Sequence, residues 1–323
     1  MNLSPSKNNE EIKYPLKSSQ NKPNKEIPKK TKVITVSNYT NKAIKAYLKK
    51  NKLYKNKKNT DISKQPIYKE YYYMEDINNK EKHMEDFHCI KDNLIKEEYV
   101  SVFAIFDGHG GNQAAIYCQD NLIRIISKAI ISSCYNIPKC LEFTYNKLNE
   151  EFNNKTKQND VGCTMSCVVL IRDKEDANKK YIYISNVGDS KIYILKKDGS
   201  SIQMSKDHTC KDTVETERIK QKGGLVFNQR VFGSLMLTRT IGDKEMKKYG
   251  VICQPYINEY IIQNDDNYII IASDGLWDVI TEEDLSMYAK EEDMGAEAVS
   301  KRLVLQALEK GTTDNISCIV IKI

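Results

Sequence analysis

The run Phe103, Ala104, Ile105, Phe106, Asp107, Gly108, His109, Gly110, Gly111 sets apolar residues suited to a buried strand directly before an acid, an imidazole and three glycines. An Asp-Gly pair alone marks nothing more than a turn. Its weight comes from recurrence. Asp189 follows Ser185, Asn186, Val187 and Gly188; Asp274 follows Ile270, Ile271, Ala272 and Ser273, with Asp278 one turn on; Asp314 comes just ahead of the apolar run 316–323. A carboxylate at the mouth of a sheet is costly to dehydrate alone, and several together repel one another. Hard divalent cations such as Mg²⁺ and Mn²⁺ remove that cost, because they prefer oxygen ligands and take a few carboxylates alongside water. A glycine directly after an aspartate lets a backbone carbonyl turn toward such an ion.

Outward from these acids, β-branched and aromatic runs predict strands over 99–106, 163–171, 181–185, 191–195, 268–272 and 316–323. Ala115, Cys118, Leu122, Ile126 and Ala129 recur at helical spacing, as do Leu141, Tyr145, Leu148 and Phe152. Thr281 with Asp284 forms a capping box ahead of another helix. A last helix runs through Ala296, Val299, Leu303 and Ala307, with Gly311 placed to end it. Strands 181–185 and 191–195 have only a turn between them, so the sheets read as largely antiparallel, in an α+β fold.

The chain has 323 residues, a formal net charge of +6 and 40% hydrophobic residues. The positive charge is local. Residues 1–64 hold 17 lysines against four acids, whereas the remainder carries 33 basic and 40 acidic side chains. A basic N-terminal extension over 1–65, rich in Lys, Asn and Ser, is expected to be disordered, apart from an apolar stripe of Ala43, Ile44, Tyr47 and Leu48 within 33–53. The acidic body over 66–323 argues against nucleic-acid binding by that part. No apolar stretch approaches the 18 or more residues of a membrane span, and no signal-peptide core or myristoylation glycine is present. Nine cysteines without a CxxC pair read as reduced thiols of a cytoplasmic or nuclear protein.

Beyond residue 66 the sequence closely resembles the metal-dependent serine/threonine protein phosphatases of type 2C, the PPM family. The resemblance rests on motifs in family order: Met84 to His88, Phe103 to Gly111, Gly162 to Thr164, Asn186 to Ser190, Gly223 and Gly224 through Arg230, Ser234 to Asp243, Ala272 to Asp278, and Thr313 to Ser317. It implies a four-layer α-β-β-α sandwich, two mainly antiparallel sheets packed face to face and flanked by helices, with a two-metal centre at one end. By the same resemblance Asp107 bridges two ions, the Gly108 carbonyl binds one, and Asp274 with Asp314 bind the other. Glu85 and Asp86 hold metal-bound waters, and Asp189 with Asp278 form a weaker third site. One ion can lower the pKa of water from 15.7 to about 7, and the resulting hydroxide attacks phosphoserine or phosphothreonine in line. His109 is the candidate acid for the leaving group. Phosphoprotein substrates and a monomeric enzyme are implied.

One departure stands out. The family usually carries an arginine three residues before the methionine of the Met-Glu-Asp stretch, where it clamps the substrate phosphate; here that residue is Glu81, between Lys80 and Lys82. Lys82 is the candidate replacement, a point charge in place of a bidentate fork. A second copy of the motif, Met74, Glu75 and Asp76, is set aside because Asp86 lies 21 residues before Asp107 and Asp76 lies 31 before it. Arg230 and Arg239 are read as flap or core-anchoring residues without a catalytic role. The alternative to an active enzyme is a pseudophosphatase or scaffold, favoured by Glu81 and disfavoured by the intact set Asp107, Asp274 and Asp314. A haloacid-dehalogenase chemistry would need Asp-x-Asp where this chain has Asp107, Gly108, His109.

Overall fold

The computed structural model describes residues 66–79, 81–95, 100–133, 135–173, 175–176, 178–290 and 294–323. The extension 1–65 and the apolar stripe within 33–53 lie outside them.

Two antiparallel sheets form the centre of the body. One has the order β1-β14-β13-β7-β8, built from Glu70–Asp76 (β1), Lys191–Lys196 (β7), Ser201–Gln203 (β8), Asp266–Ala272 (β13) and Ile316–Lys322 (β14). The other is ordered β11-β4-β3-β5-β6-β12, with β2 also paired to β3. Its strands are Asp86–Lys91 (β2), Val100–His109 (β3), Gly162–Cys163 (β4), Met165–Arg172 (β5), Lys180–Val187 (β6), Ile241–Gly242 (β11) and Tyr256–Ile261 (β12).

Alternation along the strands makes the layers. Side chains of a strand point to opposite faces in turn, and on β3 Phe103 and Ile105 face one cluster while Val102, Ala104 and Phe106 face another. The first cluster is the seam between the sheets, where Phe103, Ile105, Val168 and Ile184 meet Ile194, Ile269, Ile271 and Ile319. Val102, Ala104 and Phe106 belong to the cluster of two helices, Gln113–Ser132 (α1) and Ile137–Lys155 (α2). On the first sheet Tyr268, Ile270, Cys318 and Val320 share a cluster with Ala296–Glu309 (α6). Because both faces of each sheet are covered, the central strands read as continuous apolar runs. The result is the four-layer α-β-β-α sandwich.

Several local signals read from the sequence act where expected, although β6 and β7, which a short turn joins, lie in different sheets and do not pair. Ala115, Cys118, Leu122, Ile126 and Ala129 are buried on α1. Asn136 caps α2 by accepting from the Lys139 amide at 3.2 Å. Thr281 and Asp284 bond reciprocally, Thr281 N to Asp284 Oδ2 at 2.7 Å and Asp284 N to Thr281 Oγ1 at 3.3 Å, before helix Glu282–Lys290 (α5). Gly311, just past α6, has a φ of 85°, a left-handed end that favours glycine. The eight described cysteines are all free. Among the described residues no helix is long and apolar enough to cross a membrane.

Between β8 and β11 the chain leaves the sandwich as a lobe with helix Thr213–Gln221 (α3) and a short hairpin of Val226–Phe227 (β9) and Arg230–Val231 (β10). Glu215 ties this lobe together. Its carboxylate accepts from Arg239 Nη2 at 2.7 Å and Thr238 Oγ1 at 2.9 Å and pairs with Arg218 at 2.8 Å. Burial alone would raise this carboxyl, but the bonds and charges of Arg239 and Arg218 outweigh it and hold the pKa at about 2. Arg239 is thus the anchoring residue that the sequence suggested.

His208 is fully buried beside this cluster, and neither ring nitrogen has a hydrogen-bond partner among the described residues. Burial, with the Arg239 charge added, pushes its pKa down to about 3, and burial pushes that of His88 down to about 4. In the unfolded chain both titrate near 6.5. The folded state binds fewer protons, so this stabilisation is complete above about pH 6.5 and is lost as pH falls toward the folded values. We expect the urea unfolding free energy of His208→Leu to gain on that of the parent as pH falls from 7 to 4, with little difference between the two at pH 7. A difference that stays constant with pH would contradict the assignment.

Candidate active site

The acids singled out in the sequence sit where strands end at one edge of the sandwich, except Asp278, which follows the short helix Asp274–Trp277 (α4). Asp107 and Gly108 close β3, Asp86 opens β2, Asp189 follows β6, Asp274 follows β13 and Asp314 precedes β14. Antiparallel register puts Asp86 directly opposite Asp107. The competing copy is structural: Glu75 and Asp76 pair with Ser317 and Ile316 along β14, and Asp76 Oδ1 accepts from the Asn78 amide at 2.8 Å.

Hydrogen bonds fix the rim. Glu85 N donates to Asn315 Oδ1 at 2.7 Å and the Glu85 carbonyl accepts from Gly108 N at 3.1 Å, so three site segments are joined through one residue. Ser273 Oγ donates to Asp86 Oδ2 at 2.6 Å. Thr164 Oγ1 accepts from Asp107 N at 3.3 Å and lies 2.8 Å from Ser190 Oγ. Gly275 permits the closest approach: a Cβ there would stand 1.9 Å from the Asn315 carbonyl oxygen. Its role is therefore to let the Asp274 and Asp314 segments touch, beyond any turning of a carbonyl.

Together these segments enclose a cleft of about 760 Å³ whose lining includes Glu85, Asp107, Gly108, His109, Asp189, Asp274 and Asp314. Asp86 is buried just behind it and Asp278 is exposed. Lys82 is also exposed and does not line the cleft, although Glu81 and His83 do. Arg230, read from the sequence as a flap or anchoring residue, lines the cleft.

Electrostatics bind the acids into one unit. Burial raises the Asp107 carboxyl well above its ordinary range, and the charges of Asp274, Asp86, Asp189 and Asp314 push it further. Asp274 is raised likewise by burial and then by Asp189, Asp314 and Asp278. Asp86 is lifted to about 7, mainly by burial, despite hydrogen bonds from Ser273 and Ser317, and Asp189 to about 6, again mainly by burial. Among the described residues, no three His, Cys, Asp or Glu side chains are gathered tightly enough to hold an ion as they stand. Carboxylates that repel one another spread around a cleft rather than close on its centre. The donor set itself, oxygen only and in excess of negative charge, fits hard divalent cations.

Two residues past Asp107 the imidazole of His109 meets an acid to which the sequence reading gave no role. His109 Nε2 lies 2.8 Å from Asp243 Oδ2. Asp243 is buried, with a left-handed φ of 47°. Although burial would raise its carboxyl, His109 and the Lys247 charge hold it below the usual carboxylate value. Lys247 is itself pushed down to about 8 by burial and donates to the Thr240 carbonyl at 2.7 Å. The signal was available: Asp243 follows Ile241 and Gly242 as Asp189 follows Val187 and Gly188.

With this geometry in place, the chain was compared with known proteins. A family model described as protein phosphatase 2C matches residues 71–316. Protein phosphatase 2C homolog 1 of Saccharomyces cerevisiae is 36% identical over 249 residues, covering 74% of this chain and 87% of that protein. Protein phosphatase 2C homolog 1 of Schizosaccharomyces pombe is 33% identical over 253 residues, covering 77% and 72%. Among solved structures, the serine-threonine phosphatase 2C from Toxoplasma gondii is similar in fold, with a TM-score of 0.67 at 20% identity over 78% of this chain and 94% of that one.

Gly162 sits against the His109–Asp243 contact, where a Cβ would lie 2.1 Å from Asp243 Oδ2 and 2.6 Å from His109 Nε2. Gly162→Ala should therefore separate the pair, shift the His109 ring resonances in an NMR spectrum and cost about 1–3 kcal/mol of stability. Ring resonances that stay in place would show that the contact is not tight.

Proposed function

The chain belongs to the protein phosphatase 2C family and is a serine/threonine protein phosphatase, and we propose that it hydrolyses phosphoserine and phosphothreonine in phosphoproteins with two Mg²⁺ or Mn²⁺ ions. The observation that carries this reading is the group of mutually repelling, partly buried carboxylates around one cleft, Asp107 and Asp274 foremost. Family membership implies metal dependence; the number and kind of ions are our proposal. Asp107, the Gly108 carbonyl, Asp274 and Asp314 would hold the two ions. Glu85 and Asp86 would act on them through water, and Asp189 with Asp278 would form a weaker third site. Such ions, when bound, would supply an activated water and neutralise charge on the phosphoryl group.

The protein's own part is positioning and proton transfer. A serine or threonine alkoxide is a poor leaving group and needs a proton as its bond to phosphorus breaks. His109, lining the cleft two residues past Asp107, is suited to give that proton to the leaving oxygen. Asp243, at 2.8 Å from Nε2, would fix the ring and select which nitrogen faces the substrate. The β2–β3 ladder that sets Asp86 opposite Asp107 and the Asn315 bridge to Glu85 would hold the acids against their repulsion before any ligand arrives.

We take residues 66–323 as the catalytic unit, working as a monomer in the cytoplasm or nucleus; the free cysteines support a reducing compartment. The test is hydrolysis of p-nitrophenyl phosphate by the full chain with Mn²⁺ and then with excess chelator. Chelator should abolish turnover, and Asp107→Asn or Asp274→Asn should reduce it by about 10³-fold or more while circular dichroism stays native, since each removes charge from the centre of the reaction. Turnover that survives chelation or either substitution would remove the metal assignment.

A further inference from the structure

A phosphate monoester brings two negative charges into a cleft already lined by nine carboxylates. Among the described residues the lining holds one guanidinium, that of Arg230, and no lysine. Glu81, which stands where the family resemblance leads one to expect an arginine, contributes one of the nine carboxylates, and Lys82 remains outside the lining.

Arg230 is placed to act on a ligand. It lies on β10, paired across the hairpin with Phe227 of β9, and it is exposed. Its Nη1 donates to the Ser234 carbonyl at 2.6 Å, the guanidinium's one partner among the described residues. That bond fixes one edge of the fork and leaves further donors for a ligand, since guanidinium carries five N–H groups in a plane that matches phosphate oxygens. A structural arginine in this protein looks different: Arg239 is held by two bonds to the buried Glu215 and one to the Gln254 carbonyl.

We propose that Arg230 is the phosphate-binding residue of this chain, reaching the non-bridging oxygens of the substrate phosphoryl group from the β9–β10 hairpin in place of the arginine absent at position 81. The inference rests on the phosphatase reading above and adds the group that recognises the substrate. Because the contact is to the phosphoryl group, it is shared by every substrate. It also makes the hairpin, rather than the strand edge around Glu81, the element that sets affinity.

The experiment uses the full chain with Mn²⁺. Loss of a charge-assisted, bidentate contact predicts that Arg230→Ala raises KM by about 10- to 100-fold for p-nitrophenyl phosphate and for a phosphothreonine peptide alike, with kcat changed by less than about threefold. Arg230→Lys should fall between, and Glu81→Arg on the Arg230→Ala background should recover part of the affinity. Calorimetric titration with inorganic phosphate should show the same weakening without reference to turnover. Unchanged KM and unchanged phosphate affinity in Arg230→Ala would overturn the proposal, as would a rise confined to the peptide. An inactive unsubstituted protein would sink the phosphatase reading instead, and the phosphate titration would still decide the part played by Arg230.

Discussion

Repulsion among buried carboxylates at one edge of the sandwich is the constraint to which the rest of the molecule answers. Asp107, Asp274, Asp86 and Asp189 each sit where burial disfavours their charge and where the charges of neighbouring acids disfavour it further. Solvent would draw such residues apart in a loose fold. Here they are attached to strand ends, so separating them would break the ladders that pair β2 with β3 and β13 with β14. The apolar layers, with isoleucines meeting across the two sheets, supply the favourable burial against which the electrostatic cost is set. A site strained in this way is common where function, not stability, selects the residues.

How far the sequence could be read depended on whether a segment's own residues or its neighbours decide its structure. β3, β5, β13 and β14 are buried on both faces, so their β-branched runs announced them. β1, with Glu70, Glu75 and Asp76 among its tyrosines, and β12, with Asn258 and Glu259, did not. Their strand state comes from pairing with β14 and β6, which local composition does not encode. The lobe holding α3 and the β9–β10 hairpin was equally opaque, because its order depends on the buried Glu215 reaching Arg239, 24 positions away.

The same division runs through the site. Asp107, Asp189, Asp274 and Asp314 were legible as acids at strand ends, a pattern that dehydration costs make informative. Asp243 fitted that pattern but was passed over, since its meaning comes from His109, which is 134 residues distant. Arg230 closes one of the motifs of the family resemblance, but nothing in that motif places it at the cleft. Its significance is a matter of charge balance: one guanidinium facing nine carboxylates is visible only once the cleft is assembled. With Glu81 at the sheet edge, Arg230 on the hairpin is the guanidinium that the described lining offers to a substrate phosphate.

Thermal unfolding of the unsubstituted protein and of Asp107→Asn, each with and without Mn²⁺, tests most directly whether uncompensated charge governs this edge of the fold. Relief of repulsion predicts that Mn²⁺ raises the Tm of the unsubstituted protein in a saturable way. It also predicts that the metal-free Asp107→Asn protein melts higher than the metal-free parent and gains less from the ion. A Tm indifferent to Mn²⁺, or a metal-free variant that melts lower than its parent, would contradict the account.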